Sequence, residues 1–320
     1  MSLERSALDA WIAHQLCCDA EALEIDTFHD SMTGSVSRVK AGYETFYLKA
    51  CNAVFPHEPR LTAALYEWFP DRIPPVYGVG DTQGWLLLGD AGETLRTITK
   101  RDNDLSRWDK MLREYAVLQR DMIPRTDALL TLGLPDRRLE KLPDLFEQLI
   151  ADTGALRVGH EDGISEDVLD RLQAFRPQVE ALCQQVAEVG IPASIEHDDF
   201  HASNVAVRGD EYRIFDWGES CMAHPFYSLL IVLRGAKFLH QADDAALNHL
   251  RDVYLEAWTA YAPLERLREL IMLTNQLAAL GRALSWQQVY HRTEARFRAE
   301  IADLPAYWLR TFLNNTPLEL

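Results

Sequence analysis

The chain has 320 residues, enough for two units of ordinary domain size with a substantial core. Hydrophobic residues make up 48% and charged residues 25%, which excludes a disordered chain. A net charge of −17 argues against nucleic acid or an anionic membrane as the main partner; it is compatible with a cationic ligand and also serves plain solubility. The five cysteines, Cys17, Cys18, Cys51, Cys183 and Cys221, are scattered with no metal spacing, as expected of a reduced, cytoplasmic protein. No basic segment followed by an apolar run opens the chain, so no signal peptide is expected, and the apolar run at 228–233 is too short to span a bilayer.

In chain order, Leu8, Trp11, Ile12 and Leu16 share one face of a helix expected over 6–16. Strand-like pieces follow, two of them separated by the turn Ser31-Met32-Thr33-Gly34-Ser35. Gly and Ser are ordinary turn residues, yet backbone N–H and hydroxyl groups in such a turn can also cradle phosphate, which makes Ser35 a candidate contact. Residues 45–50 read as a strand whose apolar run ends in Lys49. In the helix expected over 58–69, Leu61, Ala64, Leu65 and Trp68 form the buried face at 100° per residue. Glu58 falls at the edge of that face and Glu67 on the far side, so a carboxylate partner for Lys49 would be Glu58. Residues 76–79 and 85–88 read as two further strands, the second apolar throughout and therefore interior. Gly89-Asp90-Ala91-Gly92 closes this strand-rich part.

From Leu105 the pattern is helical. Leu105, Trp108, Met111, Leu112, Tyr115 and Leu118 mark one stripe, ending near Met122. Ser165 has the character of an N-cap, with Glu166 and Asp167 in the first turn behind it. Pro177 should interrupt the helical region, and Gly190 should end it.

The most informative stretch runs from 197 to 218. It opens His197-Asp198-Asp199-Phe200-His201-Ala202-Ser203-Asn204 and closes Asp216-Trp217-Gly218. Between them, 205–207 and 212–215 alternate as two strands about a Gly-containing turn, a hairpin that should return Asp216 towards Asn204. A His, an Asp two residues on, an Asn five beyond, then Asp-aromatic-Gly have the order and spacing of a kinase catalytic loop and metal-binding turn. Phosphoryl transfer needs a positioned hydroxyl and a neutralised polyphosphate. Asn204 and Asp216 offer hard oxygen ligands suited to Mg²⁺, and Asp199 a carboxylate to orient or deprotonate the hydroxyl. The chain has no Gly-x-Gly-x-x-Gly after a strand, no Walker loop and no Gly-x-Ser-x-Gly, which speaks against dinucleotide, P-loop and serine-hydrolase chemistry.

On His197, Asp199, His201, Asn204 and Asp216 the sequence resembles the aminoglycoside phosphotransferase and choline kinase superfamily. That family's loop commonly reads His-Gly-Asp-Leu-His-x-x-Asn; here Asp198 stands at the Gly and Phe200 at the Leu. The resemblance implies an α+β, bilobal protein-kinase-like fold: a small lobe over 1–89 with an antiparallel sheet, and a larger, mainly helical lobe over 90–320. It implies ATP and Mg²⁺ as cofactors, Lys49 on the phosphates with Glu58 as its partner, Ser35 in the covering loop, and the backbone of Gly89, Asp90 and Ala91 near adenine. Asn204 and Asp216 would bind the metal and Asp199 would face the acceptor, a small hydroxyl compound such as an aminoglycoside, an amino alcohol or a sugar-like molecule. Asp198, at the family's Gly, is expected to tolerate Asp198→Gly far better than Asp199 tolerates substitution. His224-Pro225, where the family commonly has Asp-Pro, follows Asp216 too soon for a protein kinase's activation segment. Trp286 and Tyr290 could hold a cationic acceptor on their ring faces, although core packing is the commoner role of such a pair. The competing reading is a nucleotide-binding pseudokinase, which would usually lack one of Lys49, Glu58, Asp199, Asn204 and Asp216; all five are present.

Overall fold

In the computed structural model, residues 3–316 and 318 are described. The first part of the chain gives α1 (Leu3–Leu16), β1 (Leu23–Ser31), β2 (Gly34–Ala41), β3 (Glu44–Cys51), α2 (Glu58–Trp68), β4 (Val76–Gly80), β5 (Trp85–Gly89) and β6 (Glu93–Thr94). Then come α3 (Leu95–Asp102), α4 (Ser106–Met122), α5 (Thr126–Thr131), α6 (Leu142–Ala151), α7 (Glu166–Ala174), α8 (Arg176–Ala187), β7 (Ser194–Glu196), β8 (Val205–Arg208) and β9 (Glu211–Ile214). The remainder is β10 (Cys221–Ala223), α9 (Ser228–Leu239), α10 (Asp244–Glu256), α11 (Leu264–Arg292) and α12 (Leu304–Asn314). Packing divides these into two units: the chain up to Thr94 together with Val205–Gly218, and Leu95–Asn204 together with the chain from Glu219 onwards.

The first unit is built on an antiparallel sheet in the order β1-β2-β3-β5-β4. β5 is interior, as its unbroken apolar run predicts, and Leu86 and Leu87 are buried. α1 covers one face: Leu8, Trp11, Ile12 and Leu16 pack on Val39, Phe46, Leu48 and Leu87, the stripe read from its periodicity. The first hairpin is tighter than the sequence suggests. Ser31 pairs with Gly34 across Met32 and Thr33 alone, so Ser35 lies within β2, opposite Asp30 and Ala50, and not in the turn. Gly34 has φ +129°, and a Cβ there would run into the Ala50 carbonyl. Gly34→Ala should therefore destabilise the protein by about 1–3 kcal/mol, the usual cost of forcing atoms into a packed site; urea unfolding of the variant against the parent measures it.

The segment 205–218 completes this unit. β6, β8 and β9 form a three-stranded sheet in which Val205 pairs with Ile214 and Arg208 with Glu211. The hairpin is fastened to the rest of the unit by its own backbone and side chains. The Ile214 N–H donates to the Arg72 carbonyl at 2.8 Å, and Arg213 donates to the carbonyls of Pro70 and Ile73, each at 3.0 Å.

The second unit is helical around α4 and α11. Trp108, Met111, Leu112, Tyr115, Leu118 and Met122 of α4 are buried, the stripe expected from their spacing. Gln119, on the same helix, is wholly buried and fully used: it donates to the carbonyls of Ile195 and Pro225 and accepts from the Tyr254 hydroxyl. α11 is buried all round from Thr274 to Ser285, which makes it the core helix of the unit. Ser165 does cap α7, accepting from the Val168 N–H. Pro177 interrupts less than expected: it lies in the first turn of α8, where a missing N–H costs nothing.

Candidate active site

Within the first unit the strand-end lysine meets two acids. Lys49 Nζ lies 2.5 Å from Glu58 Oε1 and 2.5 Å from Asp216 Oδ1. β3 brings Lys49 to the spot, the first turn of α2 brings Glu58, and the turn after β9 brings Asp216. Glu67, the alternative partner, is exposed on the outer side of α2. The Lys49 side chain is only 16% exposed and that of Glu58 2%, whereas that of Asp216 is 46% exposed. Burial alone would lower the Lys49 pKa; Asp216 and Glu58 outweigh it and hold the ammonium charged, well above the ordinary lysine range. Gly218 makes the meeting possible, because a Cβ there would sit 2.8 Å from Glu58 Oε2 and from the Phe55 ring. Asp216 itself adopts φ +68°, a left-handed conformation that an Asp tolerates better than most residues.

The strand-end segment that follows β5 is also in this unit. Gly89 pairs with Phe46 and its N–H donates to the Pro75 carbonyl at 2.8 Å. The Asp90 carbonyl accepts from Arg208 at 2.7 Å, and its carboxylate accepts from the Gly92 N–H at 2.9 Å. Ala91 is buried.

Within the second unit, 197–204 forms a compact loop ending in a single helical turn over Ala202–Asn204. Asn204 donates through Nδ2 to the Asp199 carbonyl at 2.9 Å and to Asp199 Oδ2 at 3.2 Å. This fixes the amide so that Oδ1 is the atom it can offer to a cation. His201 Nε2 lies 3.3 Å from Asp199 Oδ2. Burial alone would raise the Asp199 pKa, but the His201 hydrogen bond, with His201, Arg282 and His197 nearby, brings it down to about 2. Phe200 stacks on Tyr115 with ring centroids 3.8 Å apart, and the Tyr115 hydroxyl accepts from the His197 N–H at 3.0 Å. An aromatic residue at that loop position is therefore supported by an aromatic residue of α4.

Asp198 is the departure with the largest structural consequence. It adopts φ +64°, which accounts for Gly being usual at such a position. Its carboxylate is buried against Arg137 Nη1 at 3.2 Å, Arg282 Nη1 at 3.5 Å and the Ser285 hydroxyl, and Ser285 also contacts Arg137. The expectation that Asp198→Gly would be mild took no account of these contacts: the carboxylate neutralises the buried Arg137 guanidinium, which Gly would leave without an acid. Arg282 Nη1 donates in addition to the Asp198 carbonyl at 2.6 Å and to Glu219 Oε2 at 2.5 Å. Sequence reasoning missed Arg137, Arg282, Ser285 and Glu219. One signal was present, since Arg282 interrupts the apolar run 277–284, and a buried Arg needs acidic company.

His224 has a simpler explanation. Its Nδ1 accepts from the Phe226 N–H at 3.3 Å, capping the short helical turn Pro225–Tyr227 as a carboxylate could. Burial pulls its pKa down to about 3, so the ring is neutral and available as an acceptor. Trp286 and Tyr290 already have cations of their own, Arg282 at 5.7 Å and Arg298 at 5.6 Å from the ring centres. Among the described residues, no group of three or more His, Cys, Asp or Glu is placed to hold a metal ion, and no helix is long and apolar enough to cross a membrane.

The profile of the phosphotransferase enzyme family, abbreviated APH, matches residues 56–270, more than half of the chain, including Glu58, the 197–204 loop and Asp216 but not Lys49. The chain belongs to this family. It is a phosphotransferase by family. No curated protein matches by sequence. By structure the family member is similar to choline kinase from Cryptosporidium parvum, at 11% identity and TM-score 0.64, over 97% of this chain and 95% of that one. It is similar to an ethanolamine kinase of Plasmodium vivax, at 13% identity and TM-score 0.62, over 92% and 82%. A third likeness is to the amicoumacin kinase hAmiN, solved with AMP-PNP, Ca²⁺ and Ami, at 11% identity and TM-score 0.58, over 99% and 97%. At these identities the likeness establishes the fold, which is α+β and protein-kinase-like, with an antiparallel five-stranded sheet and a larger helical part.

Proposed function

We propose that this phosphotransferase moves the γ-phosphoryl group of ATP to a hydroxyl of a small molecule, with Mg²⁺ as the metal. The observation that carries the nucleotide half is the Lys49 ammonium, buried and held between Glu58 and Asp216 at 2.5 Å each. A charged lysine fixed by a buried acid is a point charge ready for phosphate oxygens. Asn204, through Oδ1, and Asp216, through its carboxylate, are the residues that would hold Mg²⁺; both offer hard oxygen donors, and such sites commonly use one or two protein ligands with the substrate phosphates supplying others. When bound, the metal neutralises charge on the polyphosphate. Ser35, at the start of β2 just after the first hairpin turn, is the candidate phosphate contact on that side, and the Gly89, Asp90 and Ala91 backbone would lie near adenine.

Asp199 acts on the acceptor in this reading. A carboxylate with a pKa of about 2 is a weak base, so its main work is to orient the hydroxyl and to take its proton late, a division of labour that suits a loose transition state. The acceptor is drawn from small hydroxyl compounds, amino alcohols and aminoglycosides among them.

Isothermal calorimetry with ATP, with and without Mg²⁺, tests the nucleotide assignment. Lys49→Ala and Asp216→Ala are each expected to weaken MgATP binding at least tenfold, a loss of about 1.4 kcal/mol. Affinity unchanged in both variants would overturn it. ADP release across a panel of hydroxyl compounds then tests transfer. Tight MgATP binding with no release for any acceptor, and none with water, would leave the non-catalytic reading standing instead.

A further inference from the structure

We propose that Asp198 and Arg282 form a buried clamp that positions the Asp199 carboxylate, making both of them positioning residues for the transfer step. The inference rests on the role of Asp199 proposed above and deepens it. The clamp is local to the second unit and grips the peptide that joins residues 198 and 199. The Arg282 guanidinium holds the carbonyl of that peptide at 2.6 Å and Glu219 at 2.5 Å. The Asp198 side chain is tied in turn to Arg137, Arg282 and Ser285. Arg137, Arg282 and Asp198 are each about 5% exposed or less, so none of these bonds competes with bulk water.

Two further observations show that the arrangement is held from several sides. Asp198 is in the left-handed region, a conformation that costs energy for a residue with a side chain and persists only where its surroundings fix it. The Arg282 guanidinium lies 5.7 Å from the Trp286 ring and 5.7 Å from that of Trp308. Arg282 and Ser285 are one turn apart on α11, the core helix of the unit, so the loop takes its orientation from a rigid element. Turning the 198–199 peptide would swing the Asp199 side chain, and a misplacement of about 1 Å in a catalytic group can cost about 10²-fold in rate.

The test uses the full chain and two variants. Asp198→Asn keeps a residue that tolerates left-handed backbone and removes the charge; Arg282→Lys keeps the charge and removes the planar guanidinium. MgATP hydrolysis, with water as acceptor, is followed together with the KM for ATP and a crystal structure of each protein. The expected result is a 10- to 100-fold fall in kcat with KM for ATP within twofold, and an Asp199 carboxylate displaced from its parental position. A role confined to stability would lower the melting temperature and leave kcat and the carboxylate where they were, and that result overturns the proposal. If one variant fails to fold, the other decides by the same criteria. If the parent hydrolyses no ATP with water, the proposed function is decided separately by the acceptor panel, and the crystal structures decide the clamp: an unmoved Asp199 in Asp198→Asn overturns it.

Discussion

Asp199→Asn is expected to lose 10²- to 10⁴-fold in kcat while its affinity for MgATP stays within about threefold of the parent. The substitution preserves size and one acceptor oxygen but removes the charge that orients the acceptor hydroxyl and receives its proton. Nucleotide is held, in the proposed reading, by Lys49, Asn204 and Asp216, none of which changes. An interaction made mainly in the transition state lowers kcat and leaves binding alone. One side effect sets the control. Asn204 donates to both the carbonyl and the carboxylate of Asp199, so the variant must be shown to bind MgATP normally before its rate is read. Steady-state kinetics with any accepted hydroxyl compound, or with water, checks the result. Full activity in Asp199→Asn would remove Asp199 from the chemistry altogether.

Asp198→Gly is expected to lower folding stability by a net of about 2–4 kcal/mol, since removing one partner from a buried ion pair usually costs about 3–5 kcal/mol. The Gly relieves the left-handed backbone, worth about 1 kcal/mol or somewhat more in the opposite direction, and the electrostatic loss is the larger. Arg137 and Arg282 cannot shed their protons; Arg282 keeps Glu219 at 2.5 Å, whereas Arg137 would remain charged in the interior with its acidic neighbour gone. Urea unfolding measures the difference. The double variant Asp198→Gly, Arg137→Met should recover part of it by replacing one buried charge with an apolar side chain of similar length. A single variant as stable as the parent would show that water or Glu219 neutralises both arginines unaided.

Much of this was legible beforehand, for reasons that differ from residue to residue. The contact of Lys49 with Glu58 could be read because a helix has a fixed angular step, and Glu58 alone lay near the buried side of α2. The stripe of α4 and the interior position of β5 followed from apolar spacing in the same way. The order His197, Asp199, Asn204, Asp216 was readable because one loop and one hairpin carry it, with no distant partner required. Asp198 was not, because its partners Arg137, Arg282 and Ser285 lie far away in sequence and only the packing of α11 brings them together. The Gly34 turn was misjudged by one residue at its far end for a local reason: Gly34 is demanded by the approach of the Ala50 carbonyl on the next strand, and a neighbouring strand leaves no mark in the turn's own composition. His224 misled by its type. A neutral imidazole can accept a backbone N–H as a carboxylate can, so the change of residue need not change the cap.

The division of the chain bears on how the protein is made. The first unit includes Val205–Gly218, and with it Asp216, one of the two acids on Lys49. On a ribosome that hairpin emerges only after Leu95–Asn204, on the order of ten seconds after Thr94 at about 5–20 residues per second. Until then the sheet of β1 to β5 can form, but Lys49 has Glu58 alone, and Arg72, Pro70 and Ile73 present carbonyls with their hairpin donors still unsynthesised. The nascent unit is thus kept incomplete by the order of its own chain. A fragment cut at residue 94 would be arrested in that same state, whereas one with 205–218 joined on by a short linker would have the parts it needs.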